Sequence, residues 1–593
     1  MPRTVSWMFF NSEQATLSEN PQANMGWGQF LCRLGLAISI LSPGGLLAAT
    51  KGKAAKEAPQ KQAAPAKQAK KSEKTAAKQA VAAPAKVKKP DPAVEKIFSE
   101  QEIFARFNVG EEHVGFTVID LDSGQRLAGH RDHELFIPAS VAKVPTTVAA
   151  LSTLGSDYRF ETVLYVDNVA NLQVALPETA NLPVNNEGKN GKERDTVDHV
   201  FQISGATPEQ IAAGNLYLKG GGDPFLTTAD LMGLASKLKK LGITRWTGNY
   251  YYDTSLLSQP DRIDTVQEDD ASYNPGLSAL SVDFNRYIFA WNPSKSVKGQ
   301  AEVVTTPNLP SVDVAYSLQQ LGWNKQIFPS KPWEGIRIQA PAQPSGSVWL
   351  PVRNPGLHTA LLFQKICSNK GIELPAPIKT IMPSTATPIM VHQSQPLVKL
   401  AGQTLEHSNN LMAELIGMTT TRYITGKALS LKNSGTAMLK WYQENLPEVD
   451  WRGAQLENHS GLSSKSQLTP SQLAGILRYA DGNLNKDKSY VSLLPISGWT
   501  GTLAHRLGDP MMAMKVWAKT GTIHYSSGLA GYLYTQTKRR LVFAIFVTNY
   551  PERERLSELI SQGLPFPEAK AKNWNRRAKA VEDAFVRRWQ RLY

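Results

Sequence analysis

Three short clusters, far apart in the chain, carry side chains able to do covalent chemistry. They are Ser140-Val141-Ala142-Lys143, Ser408-Asn409-Asn410 and Lys519-Thr520-Gly521-Thr522. A serine hydroxyl is a weak nucleophile until a neighbouring base removes its proton. A lysine held away from water loses its own proton and becomes such a base. Lys143 stands one helical turn beyond Ser140, so its amine reaches back over the hydroxyl. Ser408 and Asn410 add a hydroxyl and an amide. Lys519 adds a second amine, with the Thr520 and Thr522 hydroxyls beside it, a set suited to a carboxylate. Taken singly such clusters are common, as Ser464-Lys465 and Ser294-Lys295 illustrate. Their order and their surroundings carry the weight.

The surroundings predict a mixed α and β architecture. Phe136-Ile137-Pro138-Ala139 leads into a helical run from Val141 to Leu151, so Ser140 is expected at a helix N-terminus, where unpaired N–H groups favour negative charge. Pro145, early in that run, is expected to kink it. Asp91 to Phe107 reads as a helix and Val114 to Asp120 as a strand. Asp122-Ser123-Gly124 then makes a turn into a return strand. Helical character resumes at Leu397 to Thr404, continues through Leu405 to Thr420, and restarts at Thr469, a cap with Pro470 behind it. Val516 to Thr522, Leu529 to Tyr534 and Leu541 to Val547 read as strands, the last apolar throughout and therefore central. The fold class is α/β (α+β): an antiparallel sheet flanked by helices.

Between the first two clusters the chain changes character. Residues 161–384 hold many short strand-like runs, among them Val163 to Val166, Leu216 to Leu218, Tyr250 to Tyr252 and Val348 to Leu350, and one helical stretch, Thr227 to Leu241. Gly220-Gly221-Gly222-Asp223-Pro224 lacks a following Gly-Lys-Ser/Thr and reads as a tight turn rather than a phosphate cradle. The expected organisation is a discontinuous catalytic domain, 94–160 with 385–593, interrupted by β-rich inserted domains at 161–384.

The 593 residues are 41% hydrophobic and 20% charged, an ordinary globular balance, and the length suggests about four domains. Residues 1–49 read as a signal peptide or anchor: Arg33, an apolar run from Leu34 to Leu41, then Leu46-Leu47-Ala48-Ala49. Residues 50–93 read as a disordered linker rich in Lys, Ala and Pro. From Lys51 to Lys89 there are twelve lysines against Glu57 and Glu73, which supplies +10 of the net charge of +14. The basic character thus belongs to a tail. Behind an export signal its natural target is an anionic membrane or wall surface, not nucleic acid. Cys32 and Cys367 are the two cysteines, too few for a disulfide framework. The tail Trp574 to Tyr593 places Trp574, Ala578, Val581, Phe585 and Trp589 on one helical face among arginines. It suits a helix packed on the sheet or one lying on a membrane.

In this order, and with 265 positions from Lys143 to Ser408, the clusters resemble the active-serine set of penicillin-recognising enzymes. Within that set the chain resembles the low-molecular-mass class C penicillin-binding proteins, the D-alanyl-D-alanine carboxypeptidase/endopeptidases of the penicillin-binding protein 4 type. Gly222-Asp223-Pro224, Asp253-Thr254-Ser255, Leu280 to Asn285, Ser408 to Glu414, Ser460 to Ser463 and Gly501-Thr502-Leu503 also match, and the resemblance runs from about Val94 to Tyr550.

The resemblance implies a transpeptidase/β-lactamase-like domain with a large insertion between the first and second motifs. It implies that Ser140 attacks the carbonyl between two D-alanines, that Lys143 takes its proton, and that Ser408 bridges the two amines and protonates the leaving nitrogen. It also implies that Asn410 binds the substrate amide, that Lys519, Thr520 and Thr522 hold the terminal carboxylate, and that Gly521 lets the substrate backbone approach. The Ser140 and Thr522 N–H groups would form the oxyanion hole. An acid in the insertion, Asp269 among Glu268-Asp269-Asp270, would hold the amino group of the peptide's diamino acid.

The implied partners are peptidoglycan stem peptides and β-lactam antibiotics, in the periplasm or cell envelope, without cofactor or metal. A Ser-His-Asp hydrolase is a rival, but no Gly-x-Ser-x-Gly elbow is present, and His407, His459, His505 and His524 read as structural or solvent-facing. A serine β-lactamase shares the chemistry but not the insertion. A catalytically silent wall-binding protein would not need the Ser140/Lys143 pair.

Overall fold

Leu541 to Val547 is apolar at every position, which a strand tolerates only when both its faces are covered. In the computed structural model the strand Arg540–Thr548 is third of five in an antiparallel sheet. The order is Val516–Ile523, Ser526–Tyr534, Arg540–Thr548, Val114–Asp120, Arg126–His130. Strands from the two ends of the sequence thus build one sheet. Alternation sorts its residues by face. Leu541, Phe543, Ile545 and Val547 join Phe116 and Val118 in one core, while Val542, Ala544 and Phe546 join Ala530 and Tyr532 in another. The structure describes residues 97–167, 210–267, 270–297, 300–309, 336–339, 346–484, 489–562, 564 and 567–593. Residues from Ile97 to Tyr593 make one compact unit. The signal or anchor segment, the Lys-rich linker, Glu268 and Asp269 lie outside the described residues.

The first face is covered by the C-terminal helix Glu568–Leu592, whose Trp574, Ala578, Val581, Phe585 and Trp589 are buried in the sheet core. Trp589 lies 5.2 Å from Phe116 and 5.7 Å from both Phe543 and Phe585 between ring centroids. Arg506 fastens the helix through Glu582 at 2.9 Å and Asp583 at 2.6 Å, and Arg588 donates to the Phe98 carbonyl at 2.7 Å. Of the two alternatives for this helix, packing on the sheet is the one adopted, and its apolar face is not available to a lipid surface. The second face carries the helices Lys143–Leu154 and Pro470–Asn483, the latter opened by a Thr469–Gln472 capping box. The first helix is shorter than its periodicity predicts. It is Glu100–Phe107, started by a Ser99–Glu102 capping box that supplies the stop signal toward the N-terminus.

Between Phe160 and Ser394 the chain forms further sheets. One is a mixed five-stranded sheet ordered Pro377–Lys379, Tyr250–Asp253, Leu216–Lys219, Glu161–Val166, Thr387–Gln393. Another is a four-stranded antiparallel sheet that includes Arg286–Val297 and Gly346–Pro351, and a third is a short parallel pair. Phe160 and Ser394 clasp each other, N–H to Oγ and N–H to carbonyl, each at 2.9 Å. The strand Thr387–Gln393 pairs with Glu161–Val166, so the inserted sheet reaches past residue 384. The region also holds a helix that its Asn-Pro-Gly start disguises as a turn. Asn354 caps Pro355–Asn369, with proline in the first turn, and its Ala360, Phe363 and Cys367 enter the local core.

Trp589 fills the sheet core opposite Phe116 and Phe543, so Trp589→Ala is expected to cost about 3–5 kcal/mol, read as a lower midpoint in equilibrium urea unfolding.

Candidate active site

Ser140 lies near the helix N-terminus, as expected, inside a 3₁₀ turn, Ala139–Ala142, that runs directly into the α-helix beginning at Lys143. In 3₁₀ geometry side chains three apart eclipse. The Ser140 Oγ and Lys143 Nζ are accordingly 2.9 Å apart. Pro145 consequently falls in the first helical turn, where its missing N–H costs nothing, and no kink follows. The turn is approached through Ala139 in left-handed backbone, φ 46°, and the bridge of Phe136 to Leu468 anchors the segment before it.

Lys143 is fully buried, and its Nζ has two further partners, Asn410 Oδ1 at 2.8 Å and the Ser460 carbonyl at 2.8 Å. Both are acceptors only. An uncharged amine has two N–H bonds, and these two acceptors consume them. As the ammonium, Lys143 also donates to Ser140 Oγ; in the uncharged form its lone pair is left facing that hydroxyl. Burial disfavours the ammonium and pushes Lys143 down to about 7, with the buried Glu414 carboxylate working in the opposite direction. The pair is thus arranged for general-base activation at neutral pH.

The other clusters converge on the same place. Ser408 ends the helix Leu397–His407 in left-handed backbone, φ 54°, and the next helix, Asn410–Thr425, starts at once under an Asn409 cap. That junction brings Ser408 and Asn410 to the site together. Lys519, also fully buried, donates to Ser408 Oγ at 3.0 Å and to the Thr520 carbonyl at 2.8 Å. Burial, with Lys143 nearby, holds its amine well below the usual lysine range. Ser408 therefore binds Lys519, while the side-chain amide that binds Lys143 is Asn410, a correction to the expectation that Ser408 spans both amines. Asn410 is thereby a structural partner of Lys143. Its Nδ2 donates to the Tyr273 carbonyl at 3.1 Å.

Thr520 Oγ1 donates to Thr502 Oγ1 at 2.8 Å, and Thr522, half-buried, follows on the same edge strand. Gly521 has a structural reason of its own. A Cβ there would sit 2.5 Å from the Pro138 carbonyl, so glycine lets the strand press against the nucleophile turn. Asp269 and Glu268 fall outside the described residues. Their neighbours frame the site: Gln267 donates to the Leu462 carbonyl at 3.4 Å, and Tyr273 supplies the carbonyl that holds Asn410.

Glu414, Ser460, Tyr273 and Thr502 contribute contacts that no single cluster reveals. Glu414, Ser460 and Thr502 lie in segments already matched by the resemblance, and the spacing of Asn410 and Glu414 puts both on one face of their helix. His459 is buried, and burial drives it down to about 3. Its Nε2 meets Ser434 Oγ at 2.6 Å, not Ser140, which removes it as the base of a Ser-His-Asp arrangement. The Ser460 loop fits under the nucleophile turn only because Gly461 has no side chain. A Cβ would lie 1.8 Å from the Ala139 carbonyl.

Comparison with known proteins agrees with this geometry. The chain is 23% identical over 472 residues to the D-alanyl-D-alanine carboxypeptidase DacB of Haemophilus influenzae, covering 75% of this chain and 89% of that one. It is 24% identical over 445 residues to a D-alanyl-D-alanine carboxypeptidase of Actinomadura sp. strain R39, covering 71% and 74%. Its fold resembles the crystal structure of penicillin binding protein 4 from Haemophilus influenzae, with a TM-score of 0.63 at 20% identity, over 83% of this chain and 100% of that one. The complex of that protein with a β-lactam matches with a TM-score of 0.59 over 81% and 96% at 20% identity. The family model for D-Ala-D-Ala carboxypeptidase 3 (S13) matches residues 101–176 and 199–566. With its serine, its two buried amines and three quarters of its length accounted for in this way, the chain belongs to the D-Ala-D-Ala carboxypeptidase 3 (S13) family.

Proposed function

We propose that this protein is a serine-type D-alanyl-D-alanine carboxypeptidase and endopeptidase. It acts on peptidoglycan stem peptides in the periplasm or cell envelope and is inactivated by β-lactams. The observation that carries this is the contact of Ser140 Oγ with a buried lysine amine whose other partners are both acceptors. Ser140 bonds to the carbonyl carbon of the penultimate D-alanine as its proton passes to Lys143. The C–N bond to the last residue breaks; the leaving nitrogen takes the hydroxyl proton of Ser408, which Lys519 holds, and Ser408 takes in turn the proton that Lys143 carried, so Lys143 is neutral again. Water then cleaves the ester: its oxygen bonds to the acyl carbon while one of its protons passes by way of Lys143 to the released Ser140 oxygen. The Ser140 and Thr522 N–H groups are the oxyanion donors in this scheme, each worth roughly 10²–10³ in rate.

Lys519, Thr520 and Thr522 bind the terminal carboxylate. Among the described residues Lys519 has no ion-pair partner, and an entering carboxylate restores favourable conditions for its protonation. Asn410 holds the substrate amide, and Gly521 keeps the carboxylate strand against Ser140. Asp269, four positions before Tyr273 in the sequence, takes the amino group of a diamino acid in the stem peptide. The Lys-rich tract 50–93 engages an anionic membrane or wall surface.

Fluorescent penicillin is expected to form a covalent adduct at Ser140, located by peptide mass spectrometry, and Ser140→Ala to abolish it. A folded wild-type protein without that adduct excludes the acyl-enzyme route. Lys143 must be uncharged to act, so acylation should rise with pH through about 7 to a plateau and fall about tenfold per unit below it. Lys519→Ala should cost a carboxylate-bearing peptide about 2–3 kcal/mol, roughly a hundredfold in kcat/KM, and its ester analogue much less. Equal losses for acid and ester would remove Lys519 from that role.

A further inference from the structure

The Lys143 base depends on a backbone carbonyl, and something must aim that carbonyl. Ser460 belongs to the loop Asn458–Gly461, which has no regular secondary structure to fix it. Glu414 lies beneath this loop, fully buried, and its two oxygens are both occupied. Oε2 accepts the His459 N–H at 2.9 Å and Oε1 the Ser460 N–H at 2.9 Å.

We propose that Glu414 is a positioning residue: its carboxylate clamps the His459–Ser460 backbone so that the Ser460 carbonyl holds Lys143 with its free electron pair on the Ser140 hydroxyl. The proposal rests on the assignment of Lys143 as the base. Asn410 and Glu414 share one helix face, so the same helix presents one acceptor to Lys143 directly and controls the other through the loop. A protonated carboxyl would need an acceptor, yet both its oxygens face N–H donors and the Ser460 hydroxyl also donates to it. Burial pushes Glu414 up from the ordinary carboxyl range, against the hydrogen bonds from Ser460 and His459 and the Lys143 amine that favour the anion; the two N–H donors are what the ionised form is arranged to meet.

The charge has a second effect. The groups that face Lys143 are the Ser140 hydroxyl on its own turn, Asn410 and Glu414 from the following helix, the neutral His459 and Ser460 from the loop, and the Lys519 amine from the edge strand. Glu414 is the carboxylate in that set, and it moderates the loss of basicity that burial imposes. Without it Lys143 becomes a weaker base.

The test compares wild type, Glu414→Gln and Glu414→Asp in the acylation rate constant for fluorescent penicillin across pH 5–9, with the penicillin dissociation constant before acylation measured alongside. Glutamine keeps the shape, removes the charge and offers one acceptor for two N–H groups. It should lower the plateau rate by about ten- to a hundredfold, leave the dissociation constant within about twofold, and move the rising limb to lower pH. Aspartate keeps the charge but falls short of the loop, and should lower the plateau about tenfold with a smaller displacement of the limb. An unmoved limb in a folded Glu414→Gln protein overturns the proposal, as does a wild-type rate in Glu414→Asp should the glutamine variant not fold. Absence of a Ser140 adduct in the wild type removes the base assignment and this proposal together. A wild-type adduct with an unchanged Glu414→Gln profile removes this proposal alone.

Discussion

A lysine amine enclosed without water is the constraint from which the rest of the active site follows. An ammonium taken into the interior costs several kcal/mol unless paired, and the group responds by giving up its proton. Among the described residues Lys143 has no carboxylate in hydrogen-bond contact, only Ser140 Oγ, Asn410 Oδ1 and the Ser460 carbonyl. Two of these can only accept, so once the amine gives up its proton its two N–H bonds are engaged and its lone pair is left to Ser140. The three partners come from the nucleophile turn, the helix Asn410–Thr425 and the Ser460 loop. Each must stay within a few tenths of an ångström, because a base displaced by about an ångström forfeits most of its effect.

The sheet supplies the required rigidity. Its two faces are sealed by different helices, and the sealing elements come from both ends of the chain. The strand that carries Lys519, Thr520 and Thr522 is its edge. A bare edge is ordinarily a liability because its backbone groups seek another strand. Here the edge stands beside the Ser140 turn, pressed there through Gly521, and its first residues, Val516 to Ala518, are already met by Pro495 to Ser497. One strand thus brings a buried amine and two threonine hydroxyls up to Ser140.

The middle region acts on the same centre from the other side. Tyr273, which precedes the Asn274-Pro275 segment, reaches Asn410 with its carbonyl, and Gln267 meets Leu462 next to the Ser460 loop. The insertion is thereby joined to the helix and to the loop that hold Lys143. A displacement of this middle region is thereby felt at the contacts that hold Lys143.

Residue type and spacing alone determined a good deal. The unbroken apolar run of Leu541 to Val547 implied a central strand, the Thr469-Pro470 start implied a capped helix, and the order of the three clusters implied an active serine with two amines. These features are local or periodic, and local sequence carries them. The helix Pro355–Asn369 was hidden because Asn-Pro-Gly favours a turn locally, and tertiary burial of Ala360, Phe363 and Cys367 outweighed it. The exchange of partners, Asn410 rather than Ser408 on Lys143, was decided by a left-handed junction between two helices. Glu414 and Ser460 fall in segments that carry the resemblance, but their contacts could not be read, since Glu414 meets backbone N–H groups and Ser460 offers a carbonyl, and every residue except proline carries both. Sequence names the side chains able to do the chemistry. Only the folded chain decides which ordinary peptide groups stand close enough, in a dry interior, to tell an amine whether it is a base.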